Sequence, residues 1–359
     1  MNPCRRPRTA VRTAGASVAI VVLTLAATAC GGGDDSAPVP RTSPAAPLAT
    51  APPTTGPPAP ATATTVPPEG QRYAVGVRTD TYVDASRPTA AIPGYAGAPD
   101  RTFPVSVWYP ATGEPDGGPV VDAPPDRRGG PYPLVLFSHG YAVTPAFYEE
   151  LLARWAAAGY VVAAPTYPLL SGVPAGPSHD DYGKVFTDQR FVLDEVLAQM
   201  GTAAGAHPLA GLVDPARVAA AGQSDGEIAA FGAGFLECCR DARVKAVIAM
   251  AGNLGNINNA VRRDSGVPIL HLMGEADELQ PYADAIAWDR DNLTAPRWMV
   301  TLVGGTHAPP YRDPASPHFD GVTEATTAFL DGTIKGDASR LAAIDDVVAA
   351  NGARFRLER

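Results

Sequence analysis

The sequence predicts an α/β fold in which helices cover both faces of a mostly parallel central sheet. Continuous apolar runs, typical of strands that are buried on both faces, recur along the chain, and the first of them lies at 133–137. Segments with apolar residues at helical spacing separate these runs. Strands and helices that alternate in this way build a parallel sheet through crossover connections.

Two strands are expected before this alternation begins, at 73–83 and 102–109, where apolar residues alternate with smaller or polar ones. A helix is expected at 145–158, because Leu151 and Trp155 fall on one side of it. The other predicted helices are 184–200, 281–290, 322–330 and 339–350. The other predicted strands are 160–164, 217–221, 244–250, 268–273 and 298–303.

The first seventy residues differ in composition and are not expected to belong to this domain, which is predicted to span residues 71–359. Residues 1–30 combine four arginines with an apolar run and resemble an export signal, since the run is short for a membrane span. The signal ends in Ala-Thr-Ala-Cys, which resembles a lipoprotein cleavage box and predicts lipidation of Cys30. Ordinary signal cleavage near the same place is the alternative.

Residues 31–70 are rich in proline, alanine and threonine and are expected to form a disordered tether. The protein is therefore expected to be exported and to face outward from the cell membrane on a lipid anchor, or otherwise to be secreted.

Charge and cysteine content narrow the possible partners. The formal net charge is −9, and removal of residues 1–30, with four arginines and no acidic residue, leaves −13. No basic patch is found, so nucleic-acid binding is not expected. No histidine–cysteine spacing suggests a metal site, and no cofactor is expected. Cys238 and Cys239 are adjacent, and the sequence leaves open a vicinal disulfide or two buried thiols.

A candidate nucleophile lies in the pentapeptide 222–226, Gly-Gln-Ser-Asp-Gly, between a predicted strand and a helix start. A serine between two glycines at such a turn presents its hydroxyl, because the tight turn has no room for neighbouring side chains. Asp277 and His307 each follow the end of a later strand. Because parallel strands end at one edge of the sheet, Ser224, Asp277 and His307 are expected to meet as nucleophile, orienting acid and base.

Three other acidic residues lie near Asp277 and leave its assignment open: Glu275, Glu278 and Asp284. A neutral His307 is needed to accept the serine proton, so activity is expected to fall in acid.

Two backbone N–H groups are the predicted donors to a developing oxyanion, those of Asp225 and Tyr141. Tyr141 and Phe147 are candidates for contact with the substrate. The first turn of a helix favours the Asp225 carboxylate, yet this charge lies close to the oxyanion. We therefore expect slower catalysis than with an apolar residue at this position.

The remaining polar features are expected to be structural. His139 is expected to stabilise the oxyanion loop, and His271, inside a strand, to be a hydrogen-bonded core residue. The run His179-Asp180-Asp181 looks like a metal motif but is expected to be solvated. Gln223 is expected to point into the core. The loops 169–182 and 254–263 are candidate walls of the pocket.

Five features together resemble the α/β-hydrolase superfamily: Phe137-Ser138-His139-Gly140, residues 159–165, the pentapeptide, Asp277 and His307. More narrowly, residues 105–111 and 238–241 are similar to the predicted dienelactone hydrolase, platelet-activating-factor acetylhydrolase and cutinase-like group. The resemblance covers about 73–330. It implies hydrolysis of a small-molecule or lipid ester through an acyl-enzyme, without a cofactor.

Two alternatives stay open. One is a hydrolase with the same three catalytic residues that acts on phospholipid acyl groups, like platelet-activating-factor acetylhydrolase, or on amides. The other is a tethered binding protein without catalysis, for which the unusual Asp225 and Glu227 are the only support. Polyester-degrading relatives usually carry a tryptophan where this chain has Ala251-Gly252-Asn253, which weakens a polymer-hydrolase interpretation.

Overall fold

The computed structural model describes residues 72–359, apart from residues 116, 172–175, 202–204, 255–259 and 295. The predicted signal peptide, Cys30 and the predicted tether lie outside the described residues. Within the described part, no helix has the length and apolar character needed to cross a bilayer.

In the described part of the chain, one sheet of ten strands forms the centre of the fold, in the order β10-β9-β8-β7-β6-β4-β5-β2-β1-β3. Strands β4 to β9 run parallel to one another. Strand β2 is antiparallel to both β5 and β1, β10 is antiparallel to β9, and the short β3 pairs in parallel with β1. The strands are β1 Ala74–Asp84, β2 Arg101–Ala111, β3 Val120–Val121, β4 Tyr132–Ser138, β5 Val161–Pro165, β6 Val213–Gln223, β7 Val244–Met250, β8 Ile269–Gly274, β9 Arg297–Leu302 and β10 Phe355–Glu358.

Within the described residues, helices connect the parallel strands except between β7 and β8. The α-helices are α1 Glu149–Ala157, α2 Val185–Met200, α3 Asp225–Phe235, α4 Tyr282–Asn292, α5 Pro309–Arg312, α6 Phe319–Leu330 and α7 Ala338–Ala350. Short 3₁₀ turns at Pro145–Tyr148 and His179–Lys184 precede α1 and α2. A third 3₁₀ turn, Gly352–Arg354, leads into β10, and a π-helical turn, Asp331–Lys335, follows α6.

The sheet separates two apolar clusters, as the side-chain alternation of β4 shows. Leu134 and Leu136 pack into a cluster with side chains of α2 and α3. Val135 and Phe137 point the other way, into a cluster with side chains of α1 and α6. Successive residues of a strand face opposite sides of a sheet, so every residue of β4 is buried. The predicted fold class, a mostly parallel sheet with helices on both faces, is confirmed.

Two edge strands were not expected from the sequence. Strand β3 has two exposed residues, too few for a periodic signal. Strand β10 follows α7 and lies antiparallel to β9, with Phe355 as its buried residue. The predicted helix at 145–158 is divided into a 3₁₀ turn, with Pro145 at its start, and α1.

Candidate active site

The turn between β6 and α3, called the elbow below, holds Ser224 in a strained conformation. Its backbone has φ 56° and ψ −126°, which lies in the positive-φ region that residues other than glycine rarely occupy. Ser224 N–H donates to the Met250 carbonyl at 2.8 Å, and the Ser224 carbonyl accepts from Glu227 N–H at 3.0 Å. Such strain costs about 1–3 kcal/mol and persists where the surrounding structure enforces it.

The two glycines of the turn are required by close backbone contacts. A Cβ at Gly222 would lie 2.0 Å from the Gly226 carbonyl oxygen. A Cβ at Gly226 would lie 2.0 Å from the Ser138 carbonyl oxygen, at the end of β4. Neither position has room for a side chain, which is the steric cause of the Gly-x-Ser-x-Gly spacing.

The structure brings the three predicted side chains together at the carboxyl edge of the sheet. His307 Nε2 lies 2.9 Å from Ser224 Oγ. His307 Nδ1 lies 2.8 Å from Asp277 Oδ2 and 3.0 Å from Asp277 Oδ1. The Asp277 side chain is fully buried, and its Oδ1 also accepts from the N–H groups of Leu279 and Gln280 at 2.9 and 2.8 Å. Three donors, the His307 ring N–H and two backbone N–H groups, thus fix the position of this carboxylate.

Residues beyond the predicted set hold the His307 backbone. Glu278, one of the open alternatives for the acid, accepts from the His307 N–H at 3.1 Å through Oε2. Gln223 Nε2 donates to the His307 carbonyl at 3.0 Å, and Gln223 Oε1 accepts from Tyr148 Oη at 2.6 Å. The sequence signal for this role was a polar residue at the last position of an apolar, buried strand. Gln223 is buried as expected, and it also positions the imidazole.

The loop after β4 lies against the nucleophile. A Cβ at Gly140 would be 3.1 Å from Ser224 Cβ, and Gly140 N–H donates to Tyr148 Oη at 3.1 Å. Asp225 is the first residue of α3, so its N–H has no partner within the helix. Across the described residues, neither the Tyr141 N–H nor the Asp225 N–H donates to a protein acceptor. Both predicted oxyanion donors are therefore available to a ligand.

His139 holds the loop after β4 in place through hydrogen bonds, as expected. It is fully buried, its Nε2 accepts from Tyr167 N–H at 3.0 Å, and its Nδ1 lies 2.7 Å from the Gly140 carbonyl oxygen. A neutral imidazole with its proton on Nδ1 satisfies both contacts. Burial lowers the pKa of His139 to about 4, which keeps the ring neutral.

A cavity of about 150 Å³ opens beside the nucleophile and is lined by His179, Tyr182, Ser224, Asp225, Ile228, Asn253 and Gln280. The expectation that the loop at 169–182 walls the pocket matches the presence of His179 and Tyr182. The expectation that His179-Asp180-Asp181 is solvated is wrong for Asp181, which forms two buried hydrogen bonds with Arg101. A buried guanidinium in β2 requires a counter-charge, and this pair ties the segment to the sheet.

His179 connects this segment to the elbow. Its ring stacks on Tyr141 with the centroids 3.8 Å apart, and its Nε2 lies 3.2 Å from Asp225 Oδ2. Burial raises the pKa of Asp225, although the nearby imidazoles of His179 and His307 partly oppose this.

Neither of the two predicted substrate contacts, Tyr141 and Phe147, is part of the lining of this cavity. The Tyr141 ring stacks on His179, which is a lining residue of the cavity, and the Tyr141 hydroxyl donates to the Pro177 carbonyl at 3.0 Å. Phe147 packs edge-on against Tyr148 and lies under the Arg312 guanidinium, 4.2 Å from the ring centroid. A role for Tyr141 and Phe147 in substrate contact stays a prediction.

A second charged cluster lies behind the elbow. His271 is buried, and its Nδ1 makes a close contact with Asp289 Oδ2. Its Nε2 lies 3.4 Å from Glu227 Oε2, and that oxygen accepts from Gly252 N–H at 2.6 Å. Burial disfavours the charged ring, but the two carboxylates outweigh this effect and raise the pKa of His271 well above its ordinary value. The expected hydrogen-bonded core histidine is therefore a charged one.

Cys238 and Cys239 form a vicinal disulfide just after α3, which resolves the alternative that the sequence left open. Among the described residues, no group of three or more histidine, cysteine, aspartate or glutamate side chains is arranged to hold a metal ion.

Comparisons with known proteins agree with the architecture. Residues 110–257 match the family model described as Chlorophyllase, a match that includes Ser224 and ends before Asp277 and His307. No curated protein matches the chain. Among solved structures, the ferulic acid esterase from Streptomyces cinnamoneus has a TM-score of 0.55 at 22% identity, covering 74% of this chain and 92% of that chain.

At this identity the likeness is one of fold. It is shared widely, since 842 solved chains match, so the fold alone selects no substrate. The sheet, the elbow after β6 and these matches together show an α/β-hydrolase fold.

Proposed function

We propose that the chain is a serine hydrolase that cleaves carboxylic esters through an acyl-enzyme. The observation that carries this proposal is the continuous contact from Ser224 Oγ to His307 Nε2 at 2.9 Å and from His307 Nδ1 to Asp277 at 2.8 Å. The matching family model and the structural neighbour both carry the names of ester-cleaving enzymes, which supports an ester as the bond.

In the first step, Ser224 Oγ attacks the ester carbonyl carbon while His307 Nε2 takes the hydroxyl proton. Asp277 holds the other ring proton on Nδ1, so that Nε2 presents its lone pair to the serine. The same carboxylate then stabilises the imidazolium that forms. The carbonyl oxygen becomes an oxyanion, and the Tyr141 and Asp225 N–H groups donate to it. Each such donor is worth about 10²–10³ in rate.

Collapse of the tetrahedral intermediate breaks the bond to the alcohol oxygen, and His307 returns its proton to the leaving alcohol. Water then enters, loses a proton to His307 Nε2 and attacks the acyl carbon. The second collapse releases the acid and restores the Ser224 hydroxyl. Every proton thus passes through one ring nitrogen, the one that lies 2.9 Å from Ser224 Oγ.

The test combines covalent labelling with turnover. We expect a fluorophosphonate probe to label Ser224, and the Ser224→Ala variant to lose both the label and hydrolysis of a 4-nitrophenyl butyrate substrate. Ser339→Ala changes an exposed serine remote from the elbow and serves as the matched control, which should keep both. Hydrolysis by Ser224→Ala at the parent rate would overturn the proposal.

The binding-protein alternative predicts no labelling, and the phospholipid alternative predicts labelling with a preference for an acetylated phospholipid over the aryl ester. The buried contacts of Glu227 account for one of the two unusual residues that supported a binding protein.

We further propose that the enzyme acts outside the cell on a lipid anchor at Cys30, on the strength of the signal-like residues 1–30. Cells fed an alkyne-tagged fatty acid should incorporate it into the parent and not into Cys30→Ser. Cys4→Ser is the control and should still be labelled. Equal labelling of Cys30→Ser would contradict the anchor.

A further inference from the structure

Asp225 carries a carboxylate and directly follows the nucleophile in the chain. Asp225 and Ser224 both line the cavity of about 150 Å³. Only 17% of the Asp225 side chain is exposed. A carboxylate so placed is partly desolvated, and a nearby charge in the substrate would act on it with little screening.

The cavity supplies little positive charge to balance this carboxylate. The described residues that line it include no lysine and no arginine. The His179 imidazole approaches Asp225 Oδ2 at 3.2 Å without hydrogen-bond geometry, and 63% of the His179 side chain is exposed. His307 faces Ser224 and Asp277.

Two further carboxylates near the elbow supply no positive charge and already have partners of their own. Glu227 accepts from Gly252 N–H and lies beside the His271 imidazole, and Glu278 accepts from His307 N–H.

The neutral part of the wall suits a cation. Tyr182 lines the cavity and supplies an aromatic ring to its wall. Aromatic faces attract ammonium groups, most strongly where water is excluded. Gln280 also lines the cavity, and its side-chain amide oxygen can accept from a cationic donor. An anionic group would meet the Asp225 carboxylate instead.

We propose that Asp225 determines the specificity of this site, and that it selects small esters whose acyl part carries an ammonium group a few bonds from the scissile carbonyl. This inference rests on the ester hydrolysis proposed above. It deepens that function by giving the charge of the substrate.

Three 4-nitrophenyl esters of matched length test it. The acyl groups are 4-(trimethylammonio)butanoate as the cation, 5,5-dimethylhexanoate as its neutral isostere, and the glutarate monoester as the anion. The variant is Asp225→Asn, which keeps the backbone N–H and the side-chain shape but removes the charge. We expect the cation-to-neutral and cation-to-anion ratios of kcat/KM to fall at least ten-fold from parent to variant. Differences in intrinsic ester reactivity cancel in this comparison.

The matched control is Asp180→Asn, which removes the same charge from an exposed side chain next to His179, outside the cavity. It should keep the parent ratios. Parent-like ratios in Asp225→Asn, or an equal fall in Asp180→Asn, would overturn the inference while leaving ester hydrolysis intact. If the parent cleaves none of the three esters and Ser224 takes no fluorophosphonate label, both the inference and the proposed function fail.

Discussion

Two histidines in this protein each pair with an aspartate through Nδ1 and differ in what their Nε2 meets. His307 lies between Asp277 and the Ser224 hydroxyl. His271 lies between Asp289 and the Glu227 carboxylate. A hydroxyl can give up a proton to a neutral ring, whereas a second carboxylate favours a ring that is already protonated. The same residue types therefore build a site for proton transfer in one place and a fixed charge in the other.

The buried cluster also shapes the wall of the exposed one. Glu227 lies in the first turn of α3, where the helix dipole stabilises its negative charge. Its Oε2 accepts from Gly252 N–H, and the next residue, Asn253, lines the cavity. A Cβ at Gly252 would lie 2.5 Å from Glu227 Cδ, so this approach requires glycine. The fixed charge thus holds the backbone that leads into the substrate site.

The largest difference between the clusters should appear when both aspartates receive the same substitution. Asp277→Asn is expected to lower kcat by about 10³–10⁴-fold, because an amide favours the wrong ring tautomer of His307. Asp289→Asn is expected to change kcat per folded molecule by less than about ten-fold, since His271 contacts no reacting atom. The measurement is kcat for an aryl ester, with active enzyme counted by fluorophosphonate titration. Equal losses of kcat in both variants would show that the two histidine–aspartate pairs do not differ in their role in the reaction.

Removal of the buried imidazole should mainly affect stability. His271→Leu leaves Asp289 and Glu227 facing each other without a cation, which should lower the free energy of unfolding by about 3–5 kcal/mol. Urea unfolding of the variant measures this loss. The double variant His271→Leu/Glu227→Gln removes one of the two charges and should recover part of it, so that poor folding of the single variant is still informative. A loss below about 1 kcal/mol would show that the cluster holds no fixed charge.

A third buried imidazole, that of His139, has no carboxylate partner among the residues that the structure describes, and burial is the main cause of its pH dependence. The folded protein holds the pKa of His139 at about 4, whereas an unfolded histidine titrates near 6.5. Acidification from about pH 6.5 to 4 therefore protonates the unfolded chain first, and this group's contribution to stability, about 3 kcal/mol, is lost.

For His271, the raised pKa gives the opposite pH dependence of stability. The contribution of His271 to the free energy of unfolding is complete below about pH 6.5 and is lost as the pH rises through the pKa of the folded state.

Urea unfolding at pH 4.5 and pH 7 tests the His139 prediction, and it should show less acid sensitivity in His139→Gln than in the parent. The same sensitivity in both proteins would contradict the assignment of a neutral His139.

The smallest expected effect concerns the charge next to the nucleophile. Asp225→Leu keeps the N–H of the predicted oxyanion hole and removes a carboxylate near the developing negative charge. We expect kcat for a neutral aryl ester to rise by about two- to ten-fold, because the Asp225 carboxylate and the oxyanion carry like charges that repel each other. Steady-state measurement of kcat tests this expectation, and Asp180→Asn, which changes a residue outside the cavity, is the control. If Asp225→Leu is no faster than the parent, the Asp225 carboxylate does not slow the reaction.

Strand ends could be predicted from the sequence because apolar runs mark them, and parallel strands bring their ends together. That reasoning places Ser224, Asp277 and His307 at one edge without any knowledge of side-chain contacts. The contact between His179 and Asp225 could not be predicted, because it depends on the path of a loop that the buried Arg101–Asp181 pair fixes.

Longer-range pairings were also out of reach. Strand β10 pairs with β9 only after the chain reverses beyond α7, and four residues carry no clear periodicity. Gln223 was expected in the core, but its bond to the His307 carbonyl joins two turns that are distant in sequence.

The positive φ of Ser224 is a strained conformation for serine, yet the proposed reaction needs the serine hydroxyl at this position. Glycine would relax this backbone without a clash, so a chain with glycine at 224 should resist heat better than the parent while catalysing nothing. Screens of this protein that reward melting temperature alone would therefore select against its own nucleophile.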